Sequence, residues 1–383
     1  MSGVVGIFLI ALGLPGAMAA VHLTVLSVAS LFFRETPQEG VGTRFLIIVP
    51  AHNEAAVIGD TVDSLVAAAR PGDTLLVVAD RCTDDTAEIA LARGAKVLSR
   101  TDDERPGRAA AISDGLKTAL ELEWDAMVAI DADSIVESGF LEGLDAAYGM
   151  GADAVQPRSE HIHKAGLPAL ISEAAFAFQQ GLARGRVALG LSVRLRGSGM
   201  SLSRRIATTR AFSTEGVSED LFYTLDLLLA GDTIQRAESA RLRSLPAHNL
   251  STISTQRIRW ETGRFAAARR YAGPLLAKGT RSSIEAATYL LTPPTALAVL
   301  LLLASAAGGW LAGSAWVVVL SLALVAAITV DVVIALIQAR AASTVWLALL
   351  AAPAYVVWKA WVQAQAIRRL GRAHEPYEPT PRE

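Results

Sequence analysis

The 383-residue chain carries a formal charge of −2, so no basic surplus points to a nucleic-acid partner. Its residues are 52% hydrophobic, and the apolar runs gather at the two ends, while most of the charge falls between about 34 and 285. That pattern describes a membrane protein with one soluble unit of α/β size, and the single Cys82 excludes an internal disulfide and fits a reducing compartment.

Met1 to Phe33 holds no Lys, Arg, Asp or Glu, and its apolar run starts near Val4. About 20 such residues suffice to span a bilayer. Ala17-Met18-Ala19 imitates a signal-peptidase site, but there is no basic segment before it and the apolar run continues past it. The reading is an uncleaved anchor over 1–33. Arg34 and Arg44 follow, so the positive-inside bias puts the next domain on the cytoplasmic face of the inner (plasma) membrane.

That domain, expected over 34–255, alternates strands with helices. Phe45–Val49 is a first strand, followed by Pro50-Ala51-His52-Asn53-Glu54 and a helix from about Ala55 to Arg70. Thr74–Ala79 is a second strand ending at Asp80, and Thr83 or Asp84 is the expected cap of the next helix. Lys96–Leu98 is a third strand, Arg105-Pro106-Gly107-Arg108 opens a helix to about Leu122, and Met127–Ile130 is a fourth strand. The alternation predicts a doubly wound, mostly parallel α/β sheet. No Gly-x-Gly-x-x-Gly or Walker loop follows the first strand, which disfavours a dinucleotide oxidoreductase or a P-loop NTPase.

In open α/β sheets ligands bind beyond the carboxyl ends of the strands. Here those ends carry Asn53 and Glu54, Asp80, and the pair Asp131 and Asp133. Carboxylates at adjacent strand ends can accept from uracil N–H and ribose hydroxyls. Strand alternation would put Asp131 and Asp133 on one side, where two hard oxygen ligands suit Mg²⁺ or Mn²⁺ on a diphosphate. The competing reading is that they merely cap the next helix. Arg108 is a fork donor for a phosphate or base edge, or else a solvated first-turn residue.

Further on, Gly197-Ser198-Gly199-Met200-Ser201 is a small-residue strand that lets a ligand approach the backbone closely. Glu219-Asp220 opens a helical run from Leu221 to Leu229, where acidic residues also suit a helix start. Gln256, Arg259 and Trp260 share a helix face in Gln256-Arg257-Ile258-Arg259-Trp260, and a lone Trp there could be an interfacial anchor. Basic residues from Arg257 to Arg281 interleave with apolar ones, which predicts amphipathic helices on the inner leaflet over 256–285. Leu167–Leu182 is a second such helix. His161 and His163 lack a third ligand and are read as surface residues. The segment 286–366 is expected to hold membrane or re-entrant helices near 288–307 and 312–338, with breaks at Pro293-Pro294 and Gly308-Gly309. Asp331 falls inside the second, with Arg340 as its expected partner. The run Ala341–Trp358 is expected to be re-entrant or interfacial, since three crossings keep the basic tail 367–383 inside.

In order, the motifs around Asn53-Glu54, Asp80 with Asp84-Asp85-Thr86, Gly107-Arg108-Ala109, Asp131-Ala132-Asp133, Ser218-Glu219-Asp220 and Gln256–Trp260 resemble a membrane-integrated glycosyltransferase of family 2 with a GT-A fold. The family includes synthases of cellulose, hyaluronan and poly-N-acetylglucosamine. The resemblance implies an inverting transfer from a UDP-sugar to a hydroxyl of a polysaccharide or lipid acceptor. It gives Asp220 as general base, and Ala51, Asn53, Glu54, Asp80, Arg108, Asp131 and Arg259 as donor-binding residues. It also gives Gly197, Ser198, Glu219, Gln256 and Trp260 as acceptor-side residues, and Asp131 and Asp133 as ligands of Mg²⁺ or Mn²⁺. The bilayer and further synthase or export subunits are the implied partners. Long-polymer synthases of the family usually carry more membrane helices, so processive export is in doubt for this chain. Two alternatives stand beside this reading. One is a polyprenyl-phosphate sugar transferase resembling dolichyl-phosphate mannose synthase, against which Gln256–Trp260 argues. The other is a non-catalytic nucleotide-sugar-binding partner of a synthase, which should have lost Asp133 or Asp220.

Overall fold

The computed structural model describes residues 3–35, 39–162, 166–210, 218–244 and 250–370. The chain divides into two compact bodies, one from 35–162 and 192–246, the other from 1–34, 163–191 and 247–373.

The first body is built on β1 (Phe45–Ala51), β2 (Thr74–Asp80), β3 (Lys96–Arg100), β4 (Ala126–Ala129), β5 (Ser134–Val136), β6 (Ala154–His161), β7 (Met200–Ser203) and β8 (Ile234–Ser244). Their order is β3-β2-β1-β4-β7-β6-β8-β5. β1, β2, β3 and β4 are mutually parallel, as expected; β7 then pairs antiparallel with both β4 and β6, and β5 antiparallel with β8. β6 and β8 pair parallel, so the sheet is mixed, with parallel pairings in the majority as expected. β1 and β4 are apolar on both faces because helices cover both, and Phe45 to Val49 and Ala126 to Ile130 are fully buried. Helix Ile58–Ala68 lays Ile58, Val62 and Leu65 along one stripe against Phe45, Ile47 and Val49. It is shorter than predicted at both ends. Glu54 to Val57 forms a turn onto its start, and Asp73 accepts from the Arg70 N–H just past its end. The chain reverses direction of winding between β1 and β4, which opens a crevice at their carboxyl ends.

The entry to β1 is fixed by Asp145, 4% exposed, on helix Phe140–Gly149. Its carboxylate accepts from the N–H groups of Val41, Gly42 and Thr43, from the Thr43 hydroxyl (2.6 Å) and from Arg70 (3.1 Å). Burial alone would raise this carboxyl; the bonds from Thr43, Arg70 and Val41 hold it below the usual carboxylate range instead. Its stabilisation is thus present at neutral pH and lost as pH falls through the depressed value. Asp145→Ala leaves several donors unanswered and is expected to cost about 3 kcal/mol or more, read as a lowered thermal unfolding midpoint.

The second body is helical. By length and composition Leu9–Ser30, Ala315–Ala339 and Ser343–Arg369 can each cross a membrane. Arg281–Leu291 and Thr295–Leu311 qualify only as a pair, bent by 61° at the break that holds Pro293-Pro294. The bend therefore falls in the segment expected to cross near 288–307. The last run, expected to be re-entrant, is long enough to span. Leu167–Ala188, whose first part was read above as an amphipathic helix within 34–255, belongs to this helical body. Its one apolar stripe meets different neighbours along its length. Phe178 and Leu182 pack on Leu26 and Ala335, and Ala174 packs with Leu336, Val345 and Ala348. Gly185 faces the opening helix so closely that an added Cβ would overlap the Leu26 carbonyl. Gly185→Val is expected to drive these helices apart and to lower the unfolding temperature of the purified protein. Asp331, 1% exposed, accepts from the Thr24 hydroxyl at 2.8 Å, where the sequence suggested Arg340. The opening helix, remote in sequence, lies against that face. Glu285 joins three helices by accepting from His22 (3.0 Å) and Arg186 (2.6 Å).

Candidate active site

The crevice of the first body gathers most of the residues singled out above. Asp131 and Asp133 do not continue β4. The strand ends at Ala129, and Asp131 to Ser134 is a turn closed by the Ser134 N–H on the Asp131 carbonyl (3.0 Å). Strand alternation therefore does not set their direction; the turn does. Thr61 pins it by donating to the Ala132 carbonyl (2.7 Å). The Asp131 N–H donates to Ser198 Oγ (3.1 Å), which in turn donates to Ser134 Oγ (2.8 Å). Gly197 and Ser198 thus lie beside Asp131, in the bend before β7 rather than within a strand.

Arg108 is the hub. Its Nε donates to Asp131 Oδ1 (2.8 Å), its Nη1 to Glu219 Oε1 (3.3 Å) and its Nη2 to the Gly197 carbonyl. Burial works against its charge, but the carboxylates of Asp131 and Glu219 more than offset that and hold its pKa above the usual arginine value. Helix Arg108–Thr118 starts at Gly107, whose φ of 102° favours glycine. The Gly107 N–H donates to Asp80 Oδ2 (3.2 Å).

Asp80 is only 3% exposed. Its carboxylate also takes Arg100 Nη1 (2.6 Å) and Arg81 Nη2 (3.2 Å). In this structure it braces the loop that presents Arg108, where the sequence had it meeting the nucleotide directly. Asn53 is exposed at φ 54°, and its Oδ1 accepts from the Thr83 N–H (2.8 Å). The Ala51 carbonyl accepts from the Cys82 thiol, and the Glu54 N–H donates to Thr86 Oγ1 (2.8 Å). Asp84 accepts from Thr86 (2.5 Å) and from the Ala55 N–H, tying the ends of β1 and β2 together.

Glu219 and Asp220 open helix Glu219–Ala230, as expected. Asp220 is half-buried, and its Oδ1 accepts from the Leu221 N–H at 2.8 Å. Burial pushes its carboxyl above the usual range, and the Leu221 N–H, Arg108 and Arg196 only partly counter this. Burial likewise raises Glu219, against the pull of Arg108. Arg196 was missed by sequence reading. It lies on an irregular stretch, and its N–H is held by Gln156 Oε1 (2.8 Å) from β6. His161 ends β6, and His163 lies outside the described residues.

Gln256, Arg259 and Trp260 lie in the helical body, on helix Leu250–Lys278. Trp260 is 42% exposed, with the Arg257 guanidinium 4.9 Å from its ring centre. One residue on, Glu261 pairs with Lys359 of the last helix at 2.6 Å. Ile258 packs there with Val362 and Ala366.

Among the described residues no group of three or more His, Cys, Asp or Glu side chains is arranged to hold a metal alone. Asp131 and Asp133 supply two hard oxygen donors. That suits an ion completing its shell from phosphates and water, as Mg²⁺ commonly does.

The four-stranded parallel half, the mixed half beside it and an acidic crevice at the end of β4 define a glycosyltransferase of the GT-A class. The chain belongs to the family described as "Glycosyltransferase like family 2", whose model matches residues 43–263. It is 24% identical over 234 residues to the poly-β-1,6-N-acetyl-D-glucosamine synthase of Staphylococcus aureus, covering 58% of this chain and 54% of that protein. An uncharacterised glycosyltransferase of Mycobacterium bovis is 32% identical over 117 residues, 30% of this chain and 49% of that one. The chain thus spans about half the length of these curated relatives. A mannosyltransferase of Pyrobaculum calidifontis, solved with GDP-mannose and Mn²⁺, superimposes with a TM-score of 0.59 at 17% identity, covering 96% of this chain and 100% of that one. That likeness is one of fold.

Proposed function

We propose that this glycosyltransferase is membrane-bound and inverting, and moves a sugar from a UDP-sugar to a hydroxyl of a polysaccharide or lipid at the inner leaflet. The observation that carries the reading is the meeting of Asp131, Glu219 and Asp220 around Arg108 at the end of β4. Asp220 takes the proton from the acceptor hydroxyl as that oxygen attacks the anomeric carbon from the face opposite the diphosphate. A single displacement inverts that carbon and needs no protein nucleophile. Glu219 stays with Arg108 and leaves Asp220 as the carboxylate for the proton. A divalent ion held by Asp133 and Asp131, Mg²⁺ or Mn²⁺, would supply neutralisation of the charge developing on the leaving diphosphate. The parts given to Gln256, Arg259 and Trp260 rest on their motif alone. Arg34 and Arg44 after the opening helix support a cytoplasmic catalytic body in the plasma membrane.

The test is nucleotide release by the detergent-solubilised chain with a panel of UDP-sugars, and with GDP-mannose as a contrasting donor. Release from one UDP-sugar, with radiolabel passing to lipid or polymer, is expected. Release from GDP-mannose alone would overturn the donor, and no release with any donor in the presence of membrane lipid would overturn the catalytic reading. Product size from the same reaction separates one addition from many.

A further inference from the structure

The Arg108 fork sets its donors on three acceptors of the protein itself: Asp131, Glu219 and the Gly197 carbonyl. Its side chain is 17% exposed, that of Asp131 35%. The fork is braced from behind, because the Gly107 N–H is tied to Asp80 and Asp80 to Arg100 (2.6 Å). Asp131 is therefore one of two carboxylates suited to a metal and also the partner of a cation whose backbone, not its side chain, is held by that brace. A dication within a few ångströms of a guanidinium is repelled by it, and a carboxylate oxygen shared between the two serves each less well.

We propose that Arg108 is an internal counter-cation that competes with the divalent ion for Asp131 and hands that carboxylate over when a nucleoside diphosphate arrives. This rests on the metal-assisted reading above. The diphosphate offers the fork a pair of anionic oxygens in place of Asp131, geometry that suits a guanidinium. Arg108 turns from the carboxylate to the phosphates, and the ion then meets Asp131 without a rival. Metal and nucleotide thereby bind with positive coupling, and linkage makes that coupling reciprocal. In the resting state the same ion pair offsets part of the crevice's negative charge.

The experiment is Mn²⁺ binding to the detergent-solubilised full chain, by calorimetry or by the electron paramagnetic resonance of free Mn²⁺, with and without UDP. Wild type is compared with Arg108→Ala, Arg108→Gln and Asp133→Asn, with melting curves as the control for folding. Arg108→Ala is expected to tighten Mn²⁺ binding without UDP by about tenfold or more, and to shrink, by a similar factor, the tightening that UDP gives wild type beyond what direct metal–phosphate contact supplies. Arg108→Gln, which keeps bulk and loses charge, is expected to do the same and serves if the alanine variant fails to fold. A merely structural Arg108 would weaken Mn²⁺ binding when removed. Unchanged or weaker binding in both Arg108 variants, with wild type binding and Asp133→Asn not, overturns the competition while leaving the metal site standing. Wild-type binding that is absent, or indifferent to Asp133→Asn, overturns the metal site and the competition together.

Discussion

Asp220→Asn cuts transfer by about 10²–10⁴-fold, the usual worth of a positioned general base, with the melting temperature nearly unchanged. The amide keeps an oxygen for the Leu221 N–H that Oδ1 now accepts, so the helix start survives. What is lost is the capacity to take a proton. Burial pushes the Asp220 carboxyl upward, while the Leu221 N–H, Arg108 and Arg196 draw it down. A base works only when ionised, so the rate rises with pH through this elevated value and falls below it. Arg196→Gln removes one of the charges that favours the ionised form, and should move that limb to higher pH. Transfer by Asp220→Asn at the wild-type rate, with the same pH profile, would remove Asp220 from the mechanism.

Chelation of divalent ions, or Asp133→Asn, is expected to lower transfer by about 10²-fold or more, since a Lewis acid on a leaving phosphate contributes several kcal/mol. Activity returns to chelated wild type when Mn²⁺ or Mg²⁺ is restored, and does not return in the variant. Asp133 is half-buried in a turn held by Thr61, and the asparagine fits that turn, so its loss reads as chemistry rather than unfolding. Full activity under chelation would leave the leaving group to arginine side chains alone.

The parallel half of the fold was legible because β1, β2 and β4 are unbroken apolar runs, the pattern of strands covered on both faces. The mixed half was not. β8 carries Arg236, Glu238, Arg241 and Arg243; Arg236 and Glu238 are buried as a pair at 2.6 Å, and Glu238 also takes Arg158 of β6 at 3.2 Å. The partner from β6 is 80 residues away in sequence, so alternation of polar residues on β8 did not announce a buried strand. Asp131, Asp133 and Asp220 could be singled out from motifs, but not the turn that aims the first two. Still less could sequence give the bond from Arg108 to Glu219, which joins positions 111 apart. Asp80 could be seen as polar at a strand end. Its enclosure by Arg100, Arg81 and Gly107 depends on how three loops meet. Leu167–Leu182 was legible as an amphipathic helix, but not that its apolar stripe would meet other helices, because a stripe does not say what covers it.

The catalytic body is discontinuous in sequence, and its cut ends lie far apart. The chain leaves it where the Ile162 N–H meets the Ser244 carbonyl, and returns where the Val193 N–H meets the carbonyl of Ile234. Those are opposite ends of β8, a gap spanned by the eight residues of its partner β6 and so roughly 25 Å. Trimming the termini therefore cannot release a soluble enzyme, because 163–191 would remain as an apolar loop without its helical partners. Excision of that insert needs a polar bridge of at least about eight extended residues, since each covers roughly 3.3–3.6 Å. A shorter graft would pull the β8 edge out of register, and a secretable or crystallisable fragment stands or falls on that one splice.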